Sequence, residues 1–127
     1  MEDEVKTVLK AIGGDSRIGT KYLNYGFGFG GPCFPRDNRA FAAYASKAGV
    51  ETPLGATTDK FNDEHTQFLK EYFINKNKDN RAYVFHYLTY KDGVDILTES
   101  RPYDLALSLL DDGYEVCLLY TSDAADE

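Results

Sequence analysis

The chain has 127 residues, 43% of them apolar, and a formal net charge of −7. Such a length suits one modest core or pieces of two domains, and the acidic balance argues against a general nucleic-acid partner, because neutralising phosphates needs a basic face. No apolar run approaches the length of a membrane span, and Glu2-Asp3-Glu4 is the opposite of a signal peptide's basic start, so a cytoplasmic protein with no membrane partner is expected.

Val5, Val8, Leu9 and Ile12 recur at helical spacing, which predicts a helix over residues 3–12 with one buried face, stopped by Gly13-Gly14. Because that helix begins almost at Met1, its packing partner is expected from upstream sequence or another chain. Asp15 to Asn24 is a polar connection that reads on composition as a solvated loop. Tyr25 to Asp37 then gathers Gly26, Gly28, Gly30, Gly31, Pro32, Pro35 and the isolated Cys33. That is too much backbone freedom and restriction in one place for an ordinary connection between helices. After Pro35 the helical pattern returns, with Phe41, Tyr44, Ala45 and Ala48 on one face and Gly49 as the stop. Thr52-Pro53 is a cap followed by proline at the first helical position, and Phe61, Phe68, Leu69, Tyr72 and Phe73 carry an aromatic stripe to about Asn75. A helix with that seam wants a partner, within the chain or across a dimer.

Asn75 to Asn80 has no apolar residue and marks a domain boundary, dividing residues 1–78 from residues 79–116. Beyond it, Ala82 to Tyr90 has the length and continuity of a parallel strand buried on both faces. Ser100-Arg101-Pro102 starts a helix through Leu105, Leu109 and Leu110, Gly113 ends it, and Glu115 to Tyr120 reads as a second strand. The fold class is therefore α followed by α/β: a helical domain, then the first βαβ unit of a Rossmann-like sheet that is expected to be cut short, since one unit cannot cover its own faces. Most of the ten tyrosines and eight phenylalanines should be core. Cys117 to Glu127 looks like the translation of a sequencing adapter; without it the net charge would be −4, and an acidic natural tail is the alternative.

A lone cysteine is as a rule structural or incidental, and the two present here make neither a metal pattern nor a disulfide framework. Cys33 stands out by its place. Glycines beside it let a ligand or substrate approach the backbone, and a helix start behind it offers N–H groups and a positive dipole end that favour thiolate. Arg36 adds positive charge; Asp37 opposes it and fits either a helix cap or a residue that orients water and shuttles protons. The glycine pattern lacks the preceding strand and the spacing of a nucleotide fingerprint, and the βαβ unit supplies no such loop either. His65 is expected at the surface and His86 in the buried strand, neither at metal spacing.

Gly28-Phe29-Gly30-Gly31-Pro32-Cys33-Phe34-Pro35-Arg36-Asp37, read with Asp15-Ser16-Arg17-Ile18-Gly19 upstream and Tyr90-Lys91 and Thr98-Glu99-Ser100 downstream, resembles the nucleotide-sugar dehydrogenases, most of all those acting on UDP-glucose. The resemblance covers roughly residues 1 to 116. It implies an NAD-dependent double oxidation of a sugar primary alcohol to a carboxylate, with Cys33 forming a thiohemiacetal and then a thioester, and Asp37 assisting the water and proton steps. It further implies that Arg17 reaches a neighbouring subunit's sugar site and that Tyr22, Leu23, Asn24, Tyr25, Gly26, Gly30 and Phe34 lie along the substrate. Tyr90 and Lys91 would meet the nucleotide sugar, and Arg36 and Thr98 would lie near NAD. Thr98 stands where the family usually has arginine, and Val94 and Ile96 stand where threonine and aspartate are common. The family's NAD-binding domain, its catalytic glutamate and the lysine and asparagine of its central helix have no counterpart in this sequence. The chain is thus expected to be an internal fragment, inactive alone: a helical dimerisation domain and the start of a UDP-binding domain. GDP-mannose and UDP-N-acetyl-hexosamine are the alternative substrates, and a non-catalytic helical dimerisation module is the alternative of another class.

Overall fold

The computed structural model describes residues 2–23 and 25–119, so Met1, Asn24 and residues 120–127 lie outside the described residues. The order of elements is α1 (Glu2–Gly13), α2 (Phe34–Lys47), α3 (Pro53–Lys76), β1 (Tyr83–Phe85), α4 (Arg101–Asp111) and β2 (Val116–Leu118). The helix boundaries follow local chemistry. Pro35 and Pro53 sit in first turns, where a missing N–H leaves nothing unsatisfied, and Gly49 and Gly113 follow α2 and α4 with φ of 76° and 84°. Thr52 holds the N-cap position of α3 without a side-chain cap bond. Ser100 caps α4 in full: its Oγ accepts from Tyr103 N at 3.4 Å and donates to the Leu88 carbonyl at 2.6 Å. After α3, the Asn77 amide closes the turn on Arg81, donating to its carbonyl and accepting from its N–H.

β1 and β2 pair in parallel with Tyr83 opposite Val116 and Phe85 opposite Leu118, and α4 makes the crossover between them. Leu105, Ala106 and Leu109 of α4 bury against Phe85. Leu69 and Ile74 from the second half of α3 close the same core, together with Tyr83, Leu88, Tyr114 and Val116. The first half of α3 pairs with α2 instead, where Asn38 Nδ2 donates to the Gly55 carbonyl at 2.8 Å and Arg39 meets Asp59. One helix therefore carries both the α2 layer and the βαβ unit.

Several sequence expectations are corrected. The strand expected over residues 82–90 is three residues long, and Val84 within it is half exposed, because the small sheet is covered on one side only. His86 falls past the strand end and is exposed rather than core. Most aromatic residues of α2 and α3 do not become core: Phe41, Tyr44, Phe61 and Phe68 are exposed, and the α1 face of Val5, Val8 and Ile12, whose partner the sequence left to upstream residues or another chain, is exposed too. The described core is built around α4, which has room for one phenylalanine, Phe85.

Candidate active site

The glycine stretch lies against its own chain. A Cβ on Gly28 would fall 2.0 Å from Asn62 Oδ1, one on Gly30 would fall 2.2 Å from the Glu99 carbonyl oxygen, and Gly31, at φ 85°, lies under the Tyr90 ring. Close approach is what these glycines provide. The approach is to α3 and to the segment ahead of α4. Polar contacts hold the stretch there. Asn62 Nδ2 donates to the Phe29 carbonyl at 2.8 Å, Arg101 Nε donates to the same oxygen at 3.4 Å, and Gly31 N donates to the Glu99 carbonyl at 3.3 Å. His65 Nε2 lies 2.6 Å from the Gly26 carbonyl oxygen.

Charged partners brace the same corner. Arg101, only 7% exposed, binds Asp63 at 2.7 Å and lies 3.7 Å from Asp104. Partial burial, opposed by Arg101, holds the Asp104 carboxyl above its ordinary range. Arg39 of α2 bridges Asp59 of α3 at 2.8 Å and Glu99 at 2.6 Å, and these two carboxylates hold its guanidinium more firmly protonated than usual. Glu99 itself has φ 52°, a left-handed conformation that costs a non-glycine residue of order 1 kcal/mol. Its backbone binds the glycine stretch while its side chain binds α2.

Cys33 is the N-cap residue of α2 and is exposed. The sequence placed it just ahead of a helix start, and that is where it lies. Asp37 is not the cap: its backbone N–H donates to the Cys33 carbonyl at 2.8 Å, one turn inside the helix, and its carboxylate accepts from Arg36 Nε at 2.8 Å. That hydrogen bond to Asp37 raises the Arg36 pKa further. Phe34 is exposed beside it.

Tyr90 joins the cysteine loop through its ring contact with Gly31, and Lys91 Nζ stands 5.6 Å over that ring. Thr98 is exposed in the turn before Glu99. The other expected substrate residues sit in the connection between α1 and α2. Arg17 forks onto Asp15 of its own loop, Nε to Oδ1 at 3.0 Å and Nη2 to Oδ2 at 2.6 Å, which holds the Asp15 carboxyl below the usual carboxylate range. Tyr22 is almost fully exposed, Leu23 packs beside Gly13, Tyr25 is exposed, and Gly26 has φ 148°. Sequence reasoning missed Asn62, His65, Arg39 and Arg101. Each is a polar residue on a helix, and no spacing distinguishes it from its solvated neighbours.

The described residues do not form a dinucleotide cradle. Gly28, Gly30 and Gly31 are closed off by Asn62, Glu99 and Tyr90, and the loop between β1 and α4 contains one glycine, Gly93.

Residues 1–64 match the family model described as "UDP-glucose/GDP-mannose dehydrogenase family, central domain". Over 86% of this chain, the UDP-glucose 6-dehydrogenase AglM of Haloferax volcanii is 37% identical, and the alignment covers 26% of that protein. The GDP-mannose 6-dehydrogenase of Pseudomonas aeruginosa is 32% identical over 90% of this chain and 29% of its own length. Among solved structures, a UDP-glucose dehydrogenase from Pyrobaculum islandicum superposes with a TM-score of 0.74 at 29% identity, covering 88% of this chain and 26% of that one. The chain thus spans a little over a quarter of the length of the relatives it matches.

Proposed function

We propose, from the premise that this chain belongs to the UDP-glucose/GDP-mannose dehydrogenase family, that it carries the nucleophile loop of an enzyme oxidising UDP-glucose to UDP-glucuronate. The observation that supports this is the setting of Cys33: an exposed thiol at a helix N-cap, at the end of a loop fixed to α3 and to the start of α4. In this reading NAD accepts the hydride in both oxidations.

The steps assigned to this chain's residues are the two that need no hydride acceptor. The Cys33 thiolate adds to the C6 aldehyde carbon; an S–C bond forms and the carbonyl oxygen takes a proton. After oxidation to the thioester, water adds to the same carbon, the S–C bond breaks, the thiolate leaves and a carboxylate remains. Asp37, on the first turn behind Cys33, receives one of the two protons that water gives up, and the other passes to solvent. Lys91 contacts the nucleotide sugar beside Tyr90, Arg17 serves a neighbouring subunit's sugar site, and Arg36 and Thr98 lie toward NAD. Covalent capture keeps the reactive aldehyde from escaping between oxidations.

A substrate panel tests the reading. A protein of the relatives' length carrying this chain, given NAD, should reduce it fastest with UDP-glucose. Preference for GDP-mannose would transfer the assignment to the second reading, which the similarity to the Pseudomonas aeruginosa enzyme favours. No reduction with any nucleotide sugar would remove it.

The exposed Phe41, Tyr44, Phe61 and Phe68 support a second proposal, that α2 and α3 form a homodimer surface, since apolar area of this kind is worth about 25 cal/mol per Å² when covered. Sedimentation should give a dimer that Phe61→Asp dissociates; a monomer at all concentrations would contradict it.

A further inference from the structure

We infer that Asn62 is a positioning residue for Cys33, acting by its hydrogen bond to the Phe29 carbonyl; the inference rests on the reading of Cys33 as nucleophile. α3 is a long helix rich in aromatic residues, yet the side chain it buries is an amide: Asn62 is 3% exposed, while its neighbour Phe61 is 67% exposed. Burying an amide in preference to a ring is unfavourable unless its hydrogen bonds are made. Here Nδ2 donates to the Phe29 carbonyl at 2.8 Å, and Oδ1 fills the space that a Cβ on residue 28 would need. A glycine at 28 and an asparagine at 62 fit one another. Arg101 Nε reaches the same carbonyl from the start of α4 at 3.4 Å.

From Phe29 the backbone runs through Gly30, Gly31 and Pro32 to Cys33. Gly31 N is tied to the Glu99 carbonyl, and Cys33 begins α2. The two glycines give the segment conformational freedom, which the anchored Phe29 carbonyl, the Gly31–Glu99 hydrogen bond and the start of α2 together remove. Fixing the Phe29 carbonyl therefore fixes one end of the arc that delivers Sγ, and a displacement of about 1 Å at a reacting atom can cost about a hundredfold in rate.

The test uses a protein of the relatives' length. Asn62→Ala should lower kcat by about ten- to a hundredfold, leave the nucleotide-sugar Kd within about threefold, and slow the single-turnover transfer of sugar to Cys33 followed by mass spectrometry of the Cys33 peptide. Adding Gly28→Ala to that variant places a methyl group where the amide stood. The double variant should regain melting temperature without regaining kcat, because packing is restored and the donor is not. Asn62→Asp, which keeps the volume and loses the donor, gives the same reading should the alanine variants not fold. A kcat within about twofold of the parent's, or a kcat that recovers together with melting temperature in the double variant, would overturn the inference. Full turnover by Cys33→Ser would instead sink the nucleophile assignment, so the two failures are told apart.

Discussion

Replacing Cys33 by serine in a protein of the relatives' length is expected to lower turnover by about a thousandfold or more, while the nucleotide sugar still binds. Serine keeps nearly the volume of cysteine at the exposed N-cap of α2 and is itself a good cap, so the helix start should persist. What is lost is the sulfur nucleophile, and with it the thioester that water must hydrolyse. Loss at this step should leave aldehyde or its hydrate as the species that accumulates, detectable by trapping with a hydrazine. Binding measured by calorimetry should be close to that of the parent. Turnover within about tenfold of the parent's would take Cys33 out of the covalent role.

Gly30→Ala is expected to destabilise the fold by about 3 kcal/mol, the largest effect foreseen for adding a single methyl group to this chain. The new Cβ would fall 2.2 Å from the Glu99 carbonyl oxygen, and the obstacle is backbone, not the end of a flexible side chain. Glu99 cannot simply step back. Its left-handed φ, its acceptance from Gly31 N and its ion pair with Arg39 all fix it. The clash should therefore part the cysteine loop from the segment before α4, lowering stability and turnover together. Gly49→Ala is the comparison: φ is 76° but nothing lies within 4 Å, so only backbone strain of about 1 kcal/mol is added. Chemical denaturation of the two variants measures the difference. Equal losses would mean that Gly30 is not docked against Glu99.

The motif has two uses. Cys33 carries chemistry in the proposed reaction, whereas Gly28, Gly30 and Gly31 serve contact with Asn62, Glu99 and Tyr90. The sequence alone could not divide them, because a glycine that admits a ligand and a glycine that admits a neighbouring helix read identically.

Elements whose signals are local were legible without coordinates. Helical spacing and the stops at Gly13, Gly49 and Gly113 placed the four helices of the described residues within a few residues, Ser100 was found as the start of α4, and the parallel βαβ unit followed from the order of strand, helix and strand. The motif around Cys33 led to the family that residues 1–64 match. What the sequence by itself determined, then, was the run of elements and the family, since both are written in residues near one another along the chain. Only the tertiary structure decided which faces were covered and what held the cysteine loop. The aromatic residues of α2 and α3 face outward because α4 and the sheet bury a core elsewhere, and His86 lies past a strand that ends after three residues. Asn62, His65, Arg39 and Arg101 meet the loop or its supports across long stretches of sequence, through single hydrogen bonds and ion pairs. Such contacts have no periodicity and depend on where α3 crosses the loop, which packing sets and local propensity does not.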